Sequence, residues 1–252
     1  MQVQGLPMMR VSAHSLSAGY DGNAVLTDMN FSVGPGQRVA LLGPNGGGKS
    51  TLIRTLSGEL EPIRGNFTLD RRVGLVPQGD SGRLDWPATA LDVAVCGTLD
   101  TLPWWKRPGR KQRAAAAEAL DAVGLSEQAE VKFGDLSGGQ RRRARIAAAL
   151  AGGGETLLLD EPFAGLDAVS SEQLEELLDR LAKQGRTLLI ATHDLEQAMS
   201  WELVLCLHGR QVAFGEPAEV LTRETLMETF GADLLELPDG GFMAPPHHHH
   251  DH

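Results

Sequence analysis

Residues 43–51 read GPNGGGKST: three consecutive glycines stand immediately before a lysine and two hydroxyls. Glycine is costly in a folded chain because it gives up more conformational freedom than any other residue. Its return here is chemical. Bare successive N–H groups can turn inward and ring a phosphate. The flanks support that use. Val39 to Leu42 form a short apolar run of the buried-strand type, and Leu52, Ile53 and Leu56 recur at helical spacing. Gly43 to Ser50 therefore fit G-x-x-x-x-G-K-[ST] in a strand-to-helix turn. Gly43, Pro44, Asn45, Gly46, Gly47 and Gly48 would wrap a nucleotide's phosphates. Lys49 would reach the β- and γ-phosphates, Ser50 would ligate Mg2+, and Thr51 would contact phosphate. The helix starting near Lys49 adds its dipole and free donors.

A second chemical constellation lies at ETLLLDEP, residues 155–162. Leu157 to Leu159 suit a strand buried on both faces. Asp160 then emerges at its carboxyl end, where open α/β sheets bind ligands and where an acid can hold Mg2+. Glu161 follows at once. Strand alternation is expected to turn it away from Asp160, which makes it the candidate base for an attacking water. A third lies at LSGGQRRRARIAAALAGG, residues 136–153. Ser137 is the expected N-cap, and Gly138 and Gly139 expose donors at another helix start. A nucleotide has one γ-phosphate, so two such devices in one chain need a reason.

LSGGQ, Leu136 to Gln140, is identical to the signature motif of the ATP-binding-cassette (ABC) ATPases, and the chain resembles that family from about residue 10 to 238. The resemblance implies ATP as nucleotide, Mg2+ as cofactor and a homodimer of cassettes in the ATP-bound state. Two cassettes would pair head to tail, with Ser137, Gly138, Gly139 and Gln140 of one closing on ATP held by the other. It also implies an adenine-stacking role for Tyr20 and a Mg2+- and water-contacting role for Gln78. Asp167 matches the D-loop aspartate, and His193 the histidine that contacts the γ-phosphate. Gly47 stands where many members carry Ala, Ser or Cys, and is expected to add flexibility. Lys49, Gln78, Glu161 and His193 form the expected catalytic set, with Ser50, Gln78 and Asp160 around Mg2+.

The elements needed to position these groups follow in order. Residues 10–35 read as β-rich, and 37–78 carry the phosphate loop, its helix and a return to Gln78. Residues 85–152 read as mostly helical, and 155–215 alternate strand and helix as a parallel sheet requires. An amphipathic helix is expected to end at Gly185. The expected fold is α/β: a P-loop NTPase of the ABC ATPase type. It has a RecA-like parallel-sheet core, an N-terminal antiparallel β subdomain and a helical signature subdomain at about 85–152. One ABC ATPase domain spans 10–238, and 239–252 form a flexible His-rich tail.

Composition sets the surroundings. The 252 residues carry a formal net charge of −10, which argues against bulk nucleic acid as a partner. The arginine run 141–145 is then expected to salt-bridge and solvate a helix face. Cys96 and Cys206, the only cysteines, have no metal-site spacing. No signal peptide and no membrane-spanning run is seen. The isolated chain is expected to be soluble, and peripheral at the cytoplasmic face of the inner membrane when a permease brings it there.

The segment RLDWPATALDVAVCGTL resembles that following the glutamine loop in zinc, manganese and iron importers. Asp85, Pro87, Thr89, Asp92 and Val93 supply a D-x-P-x-T-x-x-D-V arrangement. Trp86, Trp104 and Trp105 belong either to a permease-docking surface or to partly buried anchors. The tail HHHHDH offers His247, His248, His249, His250 and His252, donors that suit Zn2+; a purification tag is the competing reading. The expectation is uptake of a divalent metal, zinc first and manganese or iron next, through a permease and with a solute-binding protein. The alternatives are a soluble assembly factor of the iron–sulfur type and an importer of a non-metal solute.

Overall fold

A computed structural model describes residues 9–69, 72–78, 87–231, 235–236 and 242–243. Asp85, Trp86 and the histidines of the tail lie outside the described residues. In chain order the first elements are β1 (Val11–Tyr20), β2 (Asn23–Val33), β3 (Arg38–Leu42), α1 (Lys49–Leu56), β4 (Arg64–Leu69) and β5 (Val73–Val76). Helices α2 (Ala90–Cys96), α3 (Arg110–Ala122) and α4 (Gly138–Ala151) follow. Next come β6 (Thr156–Asp160), α5 (Ala168–Lys183), β7 (Thr187–Ala191), α6 (Leu195–Met199), β8 (Leu203–Leu207) and β9 (Gln211–Gly215). The chain closes with α7 (Pro217–Val220), α8 (Arg223–Phe230), β10 (Leu235–Glu236) and β11 (Phe242–Met243). It divides into two compact units, Met1–Thr68 with Leu189–His252, and Leu69–Leu188.

In the first unit, β1 and β2 form an antiparallel hairpin in which Tyr20 pairs with Asn23. Asp21 and Gly22 between them both have positive φ, 50° and 78°. That is the conformation an Asp-Gly hairpin turn demands, and it fixes where Tyr20 emerges. β4 lies on the other edge of β1, where the Ser12 and Thr68 hydroxyls are 2.7 Å apart. The apolar run 39–42 is strand β3. It pairs in parallel with β8 in a register of Val39 to Leu203 and Leu42 to Cys206, and β9 joins β8 antiparallel. Val39 to Leu42 and Val204 to Leu207 are all fully buried. Continuous apolar runs are what a strand covered on both faces requires. Arg38 opens β3 on a bidentate contact with Glu202, at 2.8 Å from Nη2 to Oε1 and 3.1 Å from Nε to Oε2.

In the second unit, β5 and β6 pair in parallel, Val76 opposite Leu159. Helices α2, α3 and α4 bury small and branched residues against one another: Ala90 and Ala94, Ala116 and Leu120, Ala144 and Ile146. Thr89 starts α2 with a capping box. Its hydroxyl accepts from the Asp92 N–H at 3.1 Å, and its own N–H donates to Asp92 Oδ2 at 3.1 Å. The T-x-x-D part of the importer-like segment is therefore a helix start. α5 buries Leu174, Leu177, Leu178 and Leu181, and Gly185, with φ 88°, follows its end.

The arginine run departs from expectation. It is not a solvated face, because none of its four arginines is exposed. Arg142 is buried, Arg145 lies over the Phe133 ring at 5.7 Å, and Arg141 donates to the Leu136 carbonyl at 2.7 Å. Burial lowers the pKa of Arg143. These guanidiniums are parts of the helical packing, where their planar, weakly hydrated groups fit better than lysines would.

Candidate active site

The phosphate loop is shaped by what glycine omits. A Cβ at Gly43 would sit 2.2 Å from the Leu207 carbonyl oxygen at the end of β8. One at Gly48 would sit 2.3 Å from Leu26 Cδ2, and Gly48 has φ 104° besides. Gly48 is the N-cap of α1, and no side chain caps that helix. The first-turn N–H groups of α1 thus have no side-chain acceptor at the cap, and the dipole favours an anion there. Lys49 is buried at 6% exposure. Its Nζ donates to the Gly43 carbonyl at 2.6 Å and the Pro44 carbonyl at 3.1 Å. These bonds fold the ammonium back over the loop, beside the N–H donors.

Gly47 corrects an expectation. It does not add flexibility. Its N–H donates to Pro44 at 3.0 Å and its carbonyl accepts from Gly209 at 3.1 Å. An added Cβ would lie 2.9 Å from the Pro44 oxygen. The position is tied and crowded, so glycine here permits close approach. Asn45 and Gly46 are exposed at the rim, Ser50 is half-buried and Thr51 is buried. The loop and first turn of α1 carry backbone donors, an ammonium and hydroxyls, and that donor set fits a Mg2+-bearing triphosphate.

Two more predicted residues belong to the same unit. Tyr20 ends β1 at 40% exposure, its hydroxyl accepting from Arg54 at 3.3 Å. His193 follows β7 between two anchored neighbours. The Thr192 N–H donates to the Leu41 carbonyl at 3.2 Å, and Asp194 caps α6 through the N–H groups of Glu196 and Gln197.

In the second unit the acidic strand end is rebuilt. Asp160 and Glu161 are both buried, at 9% and 8% exposure. Strand alternation, expected from the sequence to set the direction of Glu161, does not reach it. The strand ends at Asp160, and Glu161 takes a left-handed backbone with φ 47°. For a non-glycine residue that conformation is sparsely populated and tends to occur at functional sites. The β5–β6 register places Gln78 and Glu161 two residues beyond the Val76–Leu159 pair. The Gln78 amide Nε2 donates to Glu161 Oε2 at 2.8 Å. A buried carboxylate is thereby held in one orientation.

The signature residues are arranged differently. Ser137 caps α4: its hydroxyl accepts from the Gln140 N–H at 3.2 Å, and its N–H donates to Gln140 Oε1 at 2.9 Å. Ser137 and Gly138 are exposed, while Gly139 is buried. An added Cβ at Gly139 would sit 2.9 Å from Ser170 Oγ. Ser170 in turn donates to Asp167 from its N–H at 2.8 Å and its hydroxyl at 3.1 Å. Those bonds from Ser170, backbone first, hold the Asp167 carboxyl below the usual range. Sequence reading missed Ser170, the residue that joins Gly139 to Asp167. The D-x-x-S spacing of a helix cap is its one local signal.

The family model for ABC transporters matches residues 26–164. The chain is 35% identical over 241 residues to the manganese transport system ATP-binding protein MntB of Bacillus subtilis (strain 168), covering 92% of this chain and 96% of that protein. It is 34% identical over 233 residues to the zinc transport system ATP-binding protein TroB of Treponema pallidum (strain Nichols), covering 89% and 88%. It is also similar to a chain of an ABC transporter solved in an inward-facing conformation, with TM-score 0.82, 30% identity and coverage of 94% and 96%. A phosphate loop with an uncapped helix start, a buried acid pair at a strand end and a self-capped signature helix thus accompany a match along nearly the whole chain. This chain belongs to the ABC transporter family, as an ATPase that binds ATP with Mg2+.

Proposed function

We propose that this chain is the ATP-hydrolysing subunit of a divalent-metal importer, working as a homodimer against a separate membrane permease. The observation that carries the metal is the kinship: relatives matched over about nine-tenths of the chain are manganese and zinc transport ATP-binding proteins. Zinc is the first candidate, because the tail residues His247, His248, His249, His250 and His252 offer imidazoles suited to it. Manganese is the second, because the Bacillus relative is a manganese transport subunit. A solute-binding protein and a position on the inner face of the membrane complete the reading.

The residue roles are part of the same proposal. Glu161 accepts a proton from water as the water oxygen bonds to the γ-phosphorus. The bond from that phosphorus to the β–γ bridging oxygen breaks, and ADP leaves with the electron pair. Gln78, bonded to Glu161 at 2.8 Å, holds the carboxylate toward that water. Lys49 and the loop N–H groups take up charge on the transferring phosphoryl group, and His193 contacts it. Tyr20 stacks on adenine. Mg2+, when bound, neutralises charge on the β- and γ-phosphate oxygens, and Ser50, Gln78 and Asp160 are the residues that would hold it. Ser137, Gly138, Gly139, Gln140 and Asp167 serve the nucleotide of the second copy, which accounts for two anion-binding helix starts in one chain.

The test has two arms. Affinity capture of the Glu161→Gln form from detergent-solubilised cells with ATP is expected to bring a polytopic membrane protein in stoichiometric amount. Soluble partners alone would oppose the permease reading. Cells carrying Lys49→Ala are expected to lose uptake of radioactive zinc, with manganese uptake little changed. Loss of manganese uptake alone would reverse the order of the two metals, and loss of neither would remove the metal reading.

A further inference from the structure

We infer that the turn carrying Trp104 and Trp105, with the cationic pocket beside it, binds an anionic phospholipid headgroup at a membrane surface. The Lys106 N–H donates to the Pro103 carbonyl at 2.9 Å, closing a turn with both tryptophans at its tip. Trp104 is 92% exposed and Trp105 71%. They are not partly buried anchors. Their rings meet edge to face at 5.7 Å and 89°, and this contact stiffens the pair. Tryptophan combines an apolar body with an N–H donor, the combination enriched where membrane meets water.

The charge around the turn is opposite to that of the chain. In a molecule of net charge −10, residues 104–113 (WWKRPGRKQR) carry five cations and no acid. Three of them, Arg110, Lys111 and Arg113, lie in the first turns of α3, and that first turn holds no acid. The helix dipole already makes this end positive, so cations here cost stability and an anion would relieve them. Asp92 approaches Arg113 at 3.9 Å. Among the described residues, neither the Lys106 nor the Lys111 ammonium has a hydrogen-bonding or ion-pair partner.

Those two lysines line a pocket of about 460 Å3 with Arg72, Thr98, Thr101 and Gln112. Thr98 and Thr101 spend their hydroxyl protons on the Val95 and Thr98 carbonyls. Attraction in the pocket therefore comes from Lys106, Lys111 and Arg72. The volume admits a phosphoglycerol headgroup. Indoles at the apolar boundary, with the Lys106 ammonium on the next residue and Lys111 lining the same pocket, match the layering of an anionic leaflet. A soluble phosphate would have no use for two exposed indoles, so the membrane is the source that accounts for both features.

This inference rests on the peripheral location in the proposed function and goes beyond it, since it needs no permease. The full chain is mixed with vesicles of phosphatidylcholine, alone or with phosphatidylglycerol, and pelleted at low and high salt. Pelleting with the anionic vesicles only, weakened by salt, with a blue shift of tryptophan emission, is expected. Each cation at such a surface contributes about a fivefold gain in partitioning. Lys106→Ala with Lys111→Ala should therefore lower it about thirtyfold, and Trp104→Ala with Trp105→Ala at least about tenfold. Basal ATP hydrolysis should be unchanged in both double variants, which guards against misfolding. Absence of anionic-vesicle binding in the wild-type chain would overturn the inference, as would equal binding by the variants. Saturable binding of free glycerol phosphate without vesicle binding would overturn it too. Variants that bind vesicles normally but lose the permease in detergent would assign the surface to the protein partner, leaving the transporter reading intact.

Discussion

The chain contains two glycine-rich helix starts, and they are built in opposite ways. α1 begins at Gly48 with no side-chain cap. Its glycines are pressed against the Leu207 carbonyl and Leu26, and the Lys49 ammonium is folded over the loop. α4 begins at Ser137 with a reciprocal capping box. The nearest atom to an added Cβ at Gly138 is 3.9 Å away. The first start leaves its donors to an anion and spends glycine on close packing. The second satisfies part of its own donor set. A strand-glycine-helix pattern is thus not one device. The two starts differ in whether the cap position carries a side-chain acceptor, and the proposed roles, one cradling a phosphate and the other meeting a nucleotide held by a second copy, follow that difference.

The largest expected effect tests the chemistry beyond both starts. Glu161→Gln should lower phosphate release about 10²- to 10⁴-fold, as loss of a general base does, while ATP still binds and a dimer accumulates in light scattering. Full turnover would remove Glu161 from its role. Next is a paired substitution. Gly43→Ala places a methyl against a backbone oxygen at 2.2 Å and should cost about 3 kcal/mol in urea unfolding. Gly138→Ala meets only an ordinary van der Waals contact, Leu166 Cδ2 at 3.9 Å, and should stay within about 0.5 kcal/mol. Equal costs would erase the contrast between the starts.

Lys49→Ala removes charge-assisted bonds and should weaken ATP about 10- to 100-fold by titration calorimetry. Ser137→Ala should leave that affinity unchanged. It loses an N-cap, about 1 kcal/mol of stability, and impairs ATP-driven dimer formation. If Ser137→Ala weakened ATP in the monomer, the signature would be acting on its own chain's nucleotide.

The smallest effect concerns the support beneath the first start. Burial alone would raise the Glu202 carboxyl, but the hydrogen bonds and charge of Arg38 outweigh it and hold its pKa below the usual carboxylate range. A depressed carboxylate stabilises the fold above its unfolded pKa, and that stability is lost as pH falls through the folded value. The stability gap between wild type and Glu202→Gln should therefore be constant near neutrality and close below about pH 4.5. It should stay under about 1 kcal/mol, because the Glu202 side chain is 40% exposed. A gap that widened in acid would contradict the pairing.

Much was legible in the chain because local chemistry encodes it. The run 39–42, the Ser137 cap and the helix ending at Gly185 each depend on neighbours a few residues away. Propensity, period and φ preference therefore suffice to read them. LSGGQ and the phosphate-loop spacing are local in the same way, and they carried the family. What the sequence could not supply were contacts between distant segments. Glu161 is turned by a left-handed backbone and met by Gln78 across a strand register. Gly47 is needed for closeness to Pro44 and the Gly209 N–H. The arginines of 141–145 are drawn into helix packing, and Ser170 bridges Gly139 to Asp167. Each of these depends on which backbone atoms arrive from elsewhere. That information belongs to strand pairing and close packing, because burial and hydrogen-bond satisfaction are decided jointly by segments far apart in the chain.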